Sequence, residues 1–301
     1  MNREEAMLKY SKTTISGLNC GATNTGFMST ICSEQLLEQN IGLRALIEKH
    51  PECLTALQIL DKNYDLLNEK EIKSTPLQRG ADNKPQLVGV LTHHIRLGGR
   101  TPSEVFQCYG DIGIVPSEYF GILESEREAC FCVSLARTYE RNQQDDPLRI
   151  SRCALKSNGQ FKGYISENYP SDNVYFILDE QIYSEIEKNN YFAIKQYKSD
   201  SQAQIDAKQA KIDALSPDEQ VLYKTLNTFS HGVSSYEESE WFAFPGGIPS
   251  KYINGIVMDS RLMDTDPSLS ATLEESFPQA TIIDIKDNSI IREQVSQPQQ
   301  E

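Results

Sequence analysis

The apolar residues of this chain change their spacing part-way along it. Near the N-terminus they recur every three or four positions, as in Leu57, Leu60, Tyr64 and Leu67, which is the repeat of an amphipathic helix. An earlier run, Leu36 to Ile47, has a similar apolar face and is followed by a proline. The first quarter of the chain is therefore predicted to be helical.

Further along, the apolar residues form short β-type runs instead. These predicted strands are Leu87 to Ile95, Cys130 to Ser134, Val174 to Leu178, Trp241 to Phe244, Tyr252 to Met258 and Thr281 to Ile285. Ser201 to Leu226 interrupts them with a helical pattern, in which Ser216-Pro217-Asp218-Glu219 has the form of a capping box. Helices first and strands later favour an α+β fold over alternating βαβ units.

Composition shifts suggest the domain boundaries. Polar residues, Pro and Gly cluster between residues 73 and 83, so we predict a helical N-terminal region over 1–80 and a main domain over 81–290. The main domain carries a helical insertion at about 180–230. The tail, 291–301, is rich in Gln, Glu, Ser and Pro and is predicted to be disordered.

The charge and the cysteines exclude several classes of protein. A formal net charge of -14 argues against a protein that binds nucleic-acid phosphates. No apolar run approaches the roughly 20 residues that cross a bilayer, and Met1 to Tyr10 lacks the apolar core of a secretory signal. Seven scattered cysteines do not suggest a disulfide framework, so a reducing compartment is expected. Cys130 and Cys132 alternate within an apolar run and are interpreted as small hydrophobic residues.

Two glutamates, Glu238 and Glu240, are the first candidate site residues. On a strand, residues two apart share a face, so both carboxylates would point the same way. Like charges held close are unfavourable unless a cation or a chemical task offsets their repulsion. The pair is followed by the tight turn Phe244-Pro245-Gly246-Gly247-Ile248-Pro249.

The second candidate segment follows the strand that ends near Ile95. There Arg96 precedes Gly98 and Gly99, and the chain enters a helix near Pro102. A guanidinium group forms bidentate, charge-assisted bonds to phosphate, and glycine lets the backbone approach a ligand closely. Arg96 and Gly98 are therefore candidate ligands of a phosphate or pyrophosphate.

Together these segments resemble a known family. The pattern Arg-x-x-x-Arg-x-Pro-x-Glu-Val-Phe, which begins at Arg96, is similar to the opening motif of ADP-ribosyltransferase toxins of the cholera and pertussis type. Glu-x-Glu at 238–240, followed by Gly-Gly-Ile-Pro, is similar to their catalytic motif, and the Phe-Pro-Gly-Gly-Ile-Pro turn resembles pierisin-like members. The two motifs occur in the family's order, and the resemblance covers roughly Leu87 to Met258.

The resemblance implies a split β-sandwich core that binds NAD in a central cleft. Arg96 would hold an NAD phosphate, and Glu240 would stabilise the positive charge on the ribose as nicotinamide leaves. Glu238 would orient or deprotonate the acceptor side chain. The family's middle Ser-Thr-Ser motif corresponds here to Cys132-Val133-Ser134, so Ser134 is the residue assigned to NAD binding.

This sequence departs from the family pattern at several points. Ser134 keeps the only hydroxyl of the middle motif, and Gly98-Gly99 stand where the family has Asp-Ser. An extra residue at Trp241 or Phe242 would form a bulge before the Pro-Gly-Gly turn.

Simpler interpretations stand beside these assignments. Each candidate could be an ordinary surface residue, and Arg79 is a competing NAD arginine because an Arg-Gly pair lies near the first strand. The adjacent His93 and His94 would face opposite sides of a strand, so a structural role is expected for both. Trp241 is expected to pack in the core.

The sequence thus leads to three functional hypotheses. The first is a mono-ADP-ribosyltransferase that transfers ADP-ribose from NAD to a side chain of a host protein. The Glu-x-Glu motif implies an arginine acceptor by family analogy. It would be an effector injected into the host cytosol, with a secretion chaperone as an additional partner and no nucleic-acid or membrane partner. The alternatives are an NAD glycohydrolase and a non-enzymatic interaction protein that keeps the transferase fold.

Overall fold

The fold is α+β, as predicted, and is built around one open mixed sheet. The computed structural model describes residues 47–97, 99–115, 133–140, 154–155, 172–188, 194–229, 240–243 and 247–294. Within these ranges, seven strands form the main sheet in the order β6-β2-β1-β5-β7-β8-β9, and two short strands, β3 and β4, pair separately. β7 and β8 are parallel, whereas the other neighbours in the main sheet are antiparallel.

The element bounds, in chain order, are as follows. The helices are α1 (Glu52–Glu69), α2 (Pro102–Ile112), α3 (Tyr183–Lys188), α4 (Gln202–Asp213), α5 (Pro217–Phe229), α6 (Leu262–Thr265) and α7 (Leu269–Ser276). The strands are β1 (Leu91–Arg96), β2 (Val133–Arg137), β3 (Tyr139–Glu140), β4 (Ala154–Leu155), β5 (Asn173–Leu178), β6 (Glu240–Ala243), β7 (Ile253–Met258), β8 (Thr281–Asp284) and β9 (Ile290–Arg292). Single 3₁₀ turns precede α3 and β7.

The main core lies between one face of the sheet and helices α2 and α7. The rings of Phe106 on α2, Phe176 on β5 and Phe277 after α7 meet there, with centroids 5.7–6.2 Å apart. All six residues of β7 are buried, and so are five of the six in β5. A strand that is covered on both faces needs a continuous apolar run, which explains why these two strands were predicted from sequence.

The segment 71–90 covers the opposite face of the sheet. Leu77, Leu87 and Val90 pack there against β5, β7 and β8. Asp179, which is fully buried at the end of β5, accepts hydrogen bonds from the backbone N–H of Thr75 (2.7 Å) and from that of Gln181 (3.0 Å). This carboxylate therefore fixes the covering segment to the sheet.

Helix α1 is packed onto the main core. The Tyr64 hydroxyl donates to the carbonyl of Ile112 (3.0 Å), and the Tyr252 hydroxyl donates to that of Leu67 (3.1 Å). Leu67 is itself a core residue. The predicted boundary near residue 80 stays a prediction, but helix α1 and the sheet share one core.

The helical segment predicted over 201–226, with a restart at Ser216, is confirmed as two helices, α4 and α5. Ser216 and Glu219 form the predicted capping box: the Glu219 carboxylate accepts from the Ser216 backbone N–H (2.8 Å), and the Ser216 hydroxyl accepts from the Glu219 N–H (3.3 Å). Because this cap starts α5, it separates α5 from α4. Ile205, Ile212 and Leu215 are half-buried.

The structure differs from the predicted elements at the start of β1, at the end of β2, which runs to Arg137 rather than Ser134, and in several short elements. β1 begins at Leu91, four residues later than predicted, because Gly89 has φ +84° and so turns the chain just before the strand. Helices α6 and α7 and strand β9 were not predicted, since they are short and their apolar residues are few.

Helix α2 is held at its N-terminus by Asp266. The carboxylate accepts from the Ser103 backbone N–H (2.7 Å) and from the Ser268 hydroxyl (2.6 Å). Burial alone would raise the pKa of Asp266, but these hydrogen bonds outweigh it and hold the pKa below its ordinary value of 3.8. A carboxylate at this position also complements the helix dipole.

We expect Asp266→Ala to lower the free energy of unfolding by about 1–2 kcal/mol at pH 7, the usual cost of a lost N-terminal cap. A lowered folded-state pKa contributes stability above the unfolded-state pKa and loses it as pH falls through the folded-state value. The difference between wild type and variant should therefore shrink below pH 3.8. Urea unfolding followed by circular dichroism at pH 7 and at pH 3 measures this difference in the free energy of unfolding. An equal difference at both pH values would contradict this role.

Candidate functional site

The three strands that carry the predicted motifs are neighbours in the sheet. The order β6-β2-β1 places the Glu240 strand beside the Ser134 strand, and the Ser134 strand beside the Arg96 strand. Glu240 pairs with Ala136, which in turn pairs with Thr92. Arg96 and Glu240 are more than 100 residues apart in the sequence. The fold brings their strands together at one edge of the sheet.

Register places the three predicted residues on one face. Directly opposite residues share a face, so the positions of Glu240, Ala136 and Thr92 lie on the same side. Ser134 is two residues from Ala136 and Arg96 is four residues from Thr92, and strand faces alternate with a period of two. For Arg96, Ser134 and Glu240 the structure describes the backbone, and by this alternation all three positions occupy one face.

The spacing between these positions suits an extended ligand. Thr92 and Glu240 are two strands apart, which is about 10 Å, and Arg96 lies about 13 Å further along β1. A direct bond between the Arg96 and Glu240 side chains is not expected at that separation. A ligand that bridges them would have to be longer than a single ring.

Strands β1 and β2 form a fork beside these positions. Their ladder consists of two pairs, Leu91–Arg137 and Thr92–Ala136. In contrast, β1 pairs with β5 through five positions up to Arg96, and β2 pairs with β6 through four. The two halves of the sheet therefore separate beyond Thr92, and the fork (His93–Arg96 on one side, Val133–Leu135 on the other) opens toward Arg96.

The other side of β6 and β2 belongs to the main core. Leu135 is 1% exposed and pairs with Trp241, so the Trp241 position shares the core face. The packing of the Trp241 side chain stays a prediction. The bulge that was expected at Trp241 or Phe242 is not found, since Ser134 through Ala136 pair with Phe242 through Glu240 without a shift.

His94 lies on the same face as the predicted site residues. Its Nε2 is 2.8 Å from Oδ1 of Asn173, and its ring stacks on that of Tyr175 at 4.8 Å. Asn173 pairs with Arg96 in the sheet. His93 faces the other way, toward Tyr109 (6.3 Å between ring centroids), as the alternation predicts.

His94 was interpreted as structural at the sequence level, and its contacts to Asn173 and Tyr175 fit that role. It precedes Arg96 by two residues, so it also shares the face of Arg96. A half-buried imidazole with a fixed hydrogen-bond partner is a polar group that a ligand on this face could contact.

The loop after β1 carries the second arginine of the motif. Leu97 N–H donates to the carbonyl of Asp172 (3.0 Å), and Arg100 N–H donates to that of Leu97 (3.2 Å). Burial lowers the pKa of the Arg100 guanidinium, while Tyr109, Cys108 and Asp172 raise it. Arginine stays protonated at neutral pH, so this loop keeps a positive charge next to the strand end.

Gly99 leaves the backbone of this loop open. Its φ is +73°, and a Cβ at this position would meet nothing within 4 Å. The loop can therefore be approached closely by a ligand. The N-terminus of α2 is less accessible, because Asp266 already accepts from the Ser103 N–H.

The turn after β6 is anchored to the end of α2. Ile248 and Ile114 exchange two backbone hydrogen bonds, of 2.6 and 2.8 Å. Gly247 has φ +120°, and a Cβ there would lie 2.8 Å from the carbonyl oxygen of Ile114. Gly113 has φ +73°, and its Cβ would lie 2.2 Å from the carbonyl oxygen of Ile248. Both glycines are required for this close approach, which connects the two predicted motifs.

The competing arginine, Arg79, is far from these strands. It donates to the Glu293 carboxylate, just after β9, at 2.5 Å. Because β6 and β9 are the two opposite edges of the sheet, Arg79 is separated from Glu240 by the full width of seven strands. The structure therefore favours Arg96 as the arginine near Glu240.

The remaining predictions lie outside this geometry. Gly98, Glu238, Cys130 and Cys132 are outside the described residues. Among the residues that are described, no group of three or more His, Cys, Asp or Glu is arranged to hold a metal ion. None of the described helices is both long and apolar enough to cross a membrane.

Comparisons with protein-family models, with curated proteins and with solved structures found no match to this chain.

Proposed function

We propose that this protein is a mono-ADP-ribosyltransferase that transfers ADP-ribose from NAD to a protein side chain and releases nicotinamide. The observation that carries the proposal is the adjacency of β6, β2 and β1. It puts the positions of Glu240, Ser134 and Arg96 on one face, beside the fork between β1 and β2.

The residues present fit NAD as a substrate. Its pyrophosphate needs cations and open backbone, and the β1–α2 loop offers Arg96, Arg100 and Gly99. A straight-line separation of about 16 Å, from steps of about 10 Å across and about 13 Å along the strands, suits a ligand longer than a single ring, such as a dinucleotide. The fork also supports a split β-sandwich, because a sheet that opens between two neighbouring strands can admit a ligand between its parts.

The chemistry then follows from the assigned carboxylates. The bond between the ribose carbon and nicotinamide breaks, nicotinamide leaves with the bonding electrons, and Glu240 stabilises the positive charge on the ribose. The acceptor nitrogen attacks the same carbon, and Glu238 takes its proton. The products are ADP-ribosylated protein, nicotinamide and a proton. By family analogy the acceptor is an arginine of a host protein.

The transfer itself is tested with NAD labelled in its adenylate part and a eukaryotic cell lysate. We expect label to appear in protein together with one nicotinamide per label. Nicotinamide release without labelled protein would indicate an NAD glycohydrolase instead. A folded protein that shows no NAD binding by calorimetry would contradict both activities and favour a non-enzymatic interaction protein.

The two arginines provide a matched test of NAD binding. We expect Arg96→Lys to raise the dissociation constant for NAD about tenfold, because a lysine loses the bidentate contact to phosphate. Arg79→Lys, at the opposite edge of the sheet, should leave the dissociation constant for NAD unchanged. Calorimetric titration of both variants measures this. An equal effect of the two substitutions would contradict the assignment of Arg96.

A further inference from the structure

A cavity lies under the segment 71–90, on the sheet face that also carries the Arg96 position but at the opposite end of β5. Its volume is about 170 Å³, and its walls include Leu77, Val88, Gly89 and Val90 of the covering segment. Its other side is formed by the end of β5 and by Glu180, Tyr183 and Asn254. Val88 is 45% exposed, so the cavity has an apolar residue that reaches solvent.

A β-bulge places Asn254 at this cavity. β5 pairs Ile177 with Gly255 and Leu178 with Ile253, so Asn254 is the extra residue on β7. A bulge changes the direction of the side chain it carries and is common beside functional sites. The same bulge brings the Asn254 carboxamide to the covering segment, where its Nδ2 donates to the carbonyl of Thr75 (2.9 Å).

The other end of that carboxamide is buried and lacks a donor in the described part of the chain. Asn254 is 5% exposed, and its Oδ1 has no hydrogen-bond partner among the described residues. The Nδ2 contact to Thr75 fixes the orientation of the amide, so the unpaired atom is the acceptor. An unpaired buried acceptor costs about 1–3 kcal/mol unless a donor from water or a ligand reaches it.

The charges around the cavity select the kind of donor. Glu180 is acidic, and the described residues that line the cavity include no lysine or arginine. Phosphates and carboxylates, including the pyrophosphate of NAD, would meet no lysine or arginine in that lining. The neighbouring Arg137 guanidinium donates to the carbonyl of Gly89 (3.3 Å) and is paired with Glu187 (3.5 Å). A cationic N–H donor would meet a carboxylate, an amide oxygen and apolar walls.

We infer that this cavity is a second binding site, which takes a small ligand with an ammonium or guanidinium head and a short apolar tail. The head donates to Oδ1 of Asn254 and is balanced by Glu180. The tail contacts Leu77, Val88 and Val90. The site is independent of the proposed transferase activity, because it lies at the end of β5 opposite Asn173 and Arg96.

The test uses four probes with similar short alkyl tails: butylguanidinium, butylammonium, butyramide and butyrate. Binding to the full-length protein is followed by chemical-shift changes in ¹H–¹⁵N spectra. We expect saturable binding of the two cations, with dissociation constants on the order of 1 mM for ligands of this size. Butyramide should bind more weakly, and butyrate should not bind.

Two variants separate the site from non-specific effects. Val88→Trp fills the cavity from an exposed position and should abolish binding of butylguanidinium, whereas Leu66→Trp, at an exposed apolar position on α1, should not. Glu180→Gln should weaken binding of the two cations about three- to fivefold and leave binding of butyramide unchanged. Binding of butyrate as tight as that of the cations, or binding that survives Val88→Trp, would overturn the inference. So would a crystal soaked in butylguanidinium that holds only water in the cavity.

Discussion

Glu240→Gln is expected to reduce NAD-dependent protein labelling by about 10³-fold, which corresponds to about 4 kcal/mol of lost transition-state stabilisation. The substitution keeps the size of the side chain but replaces one acceptor oxygen with an NH₂ donor. It removes the negative charge that would face the ribose as positive charge develops there. Since NAD in the ground state gains little from that charge, the dissociation constant for NAD should change less than threefold, about 0.6 kcal/mol.

The control for this prediction is Glu104→Gln. Glu104 belongs to the opening motif, is exposed on α2 and should tolerate the same change without loss of activity. Labelling rates and thermal unfolding of both variants separate chemistry from folding. If Glu240→Gln labels protein at the wild-type rate, Glu240 is not the catalytic glutamate. If the Glu104 variant is equally impaired, the loss at Glu240 is not specific.

Gly113→Ala should be among the most destabilising single substitutions in the described part of the chain, at about 3 kcal/mol or more. Two costs add: alanine is strained at φ +73° with ψ -164°, and its Cβ would lie 2.2 Å from the carbonyl oxygen of Ile248. Relief of that clash must displace the pairing of Ile114 with Ile248. Because Ile248 follows β6 closely, the same shift would move the Glu240 strand.

Gly99→Ala is the matched control, because Gly99 has the same φ of +73° but open space around it. It should cost about 1 kcal/mol, from backbone strain alone. Urea unfolding curves of the two variants give the difference. Equal destabilisation would mean that the contact between Gly113 and Ile248 adds nothing beyond strain.

The periodic parts of the fold were predictable because local patterns determine them. Tyr64 and Leu67 lie on the buried side of α1, and β5 and β7 overlap the predicted strand runs Val174 to Leu178 and Tyr252 to Met258. The capping box at Ser216 was predicted from four residues of sequence. In each case the interacting groups are within a few residues of one another, so no long-range information is needed.

The short elements were not predictable for the opposite reason. β9 has three residues, and its apolar positions become strand only through pairing with β8. The Asn254 bulge depends on how β5 and β7 meet, and neither strand alone indicates it.

The candidate site combines both kinds of information. The sequence by itself determined which residue types could do the chemistry: an arginine at a strand end, a pair of glutamates before a glycine turn, and an α+β framework to hold them. Only the tertiary structure decided that β6, β2 and β1 are neighbours, that Arg79 lies at the far edge, and that His94 shares the face of Arg96. The physical reason is that residue types and periodicity are local properties, whereas strand order and register arise from long-range pairing and from burial of a common core.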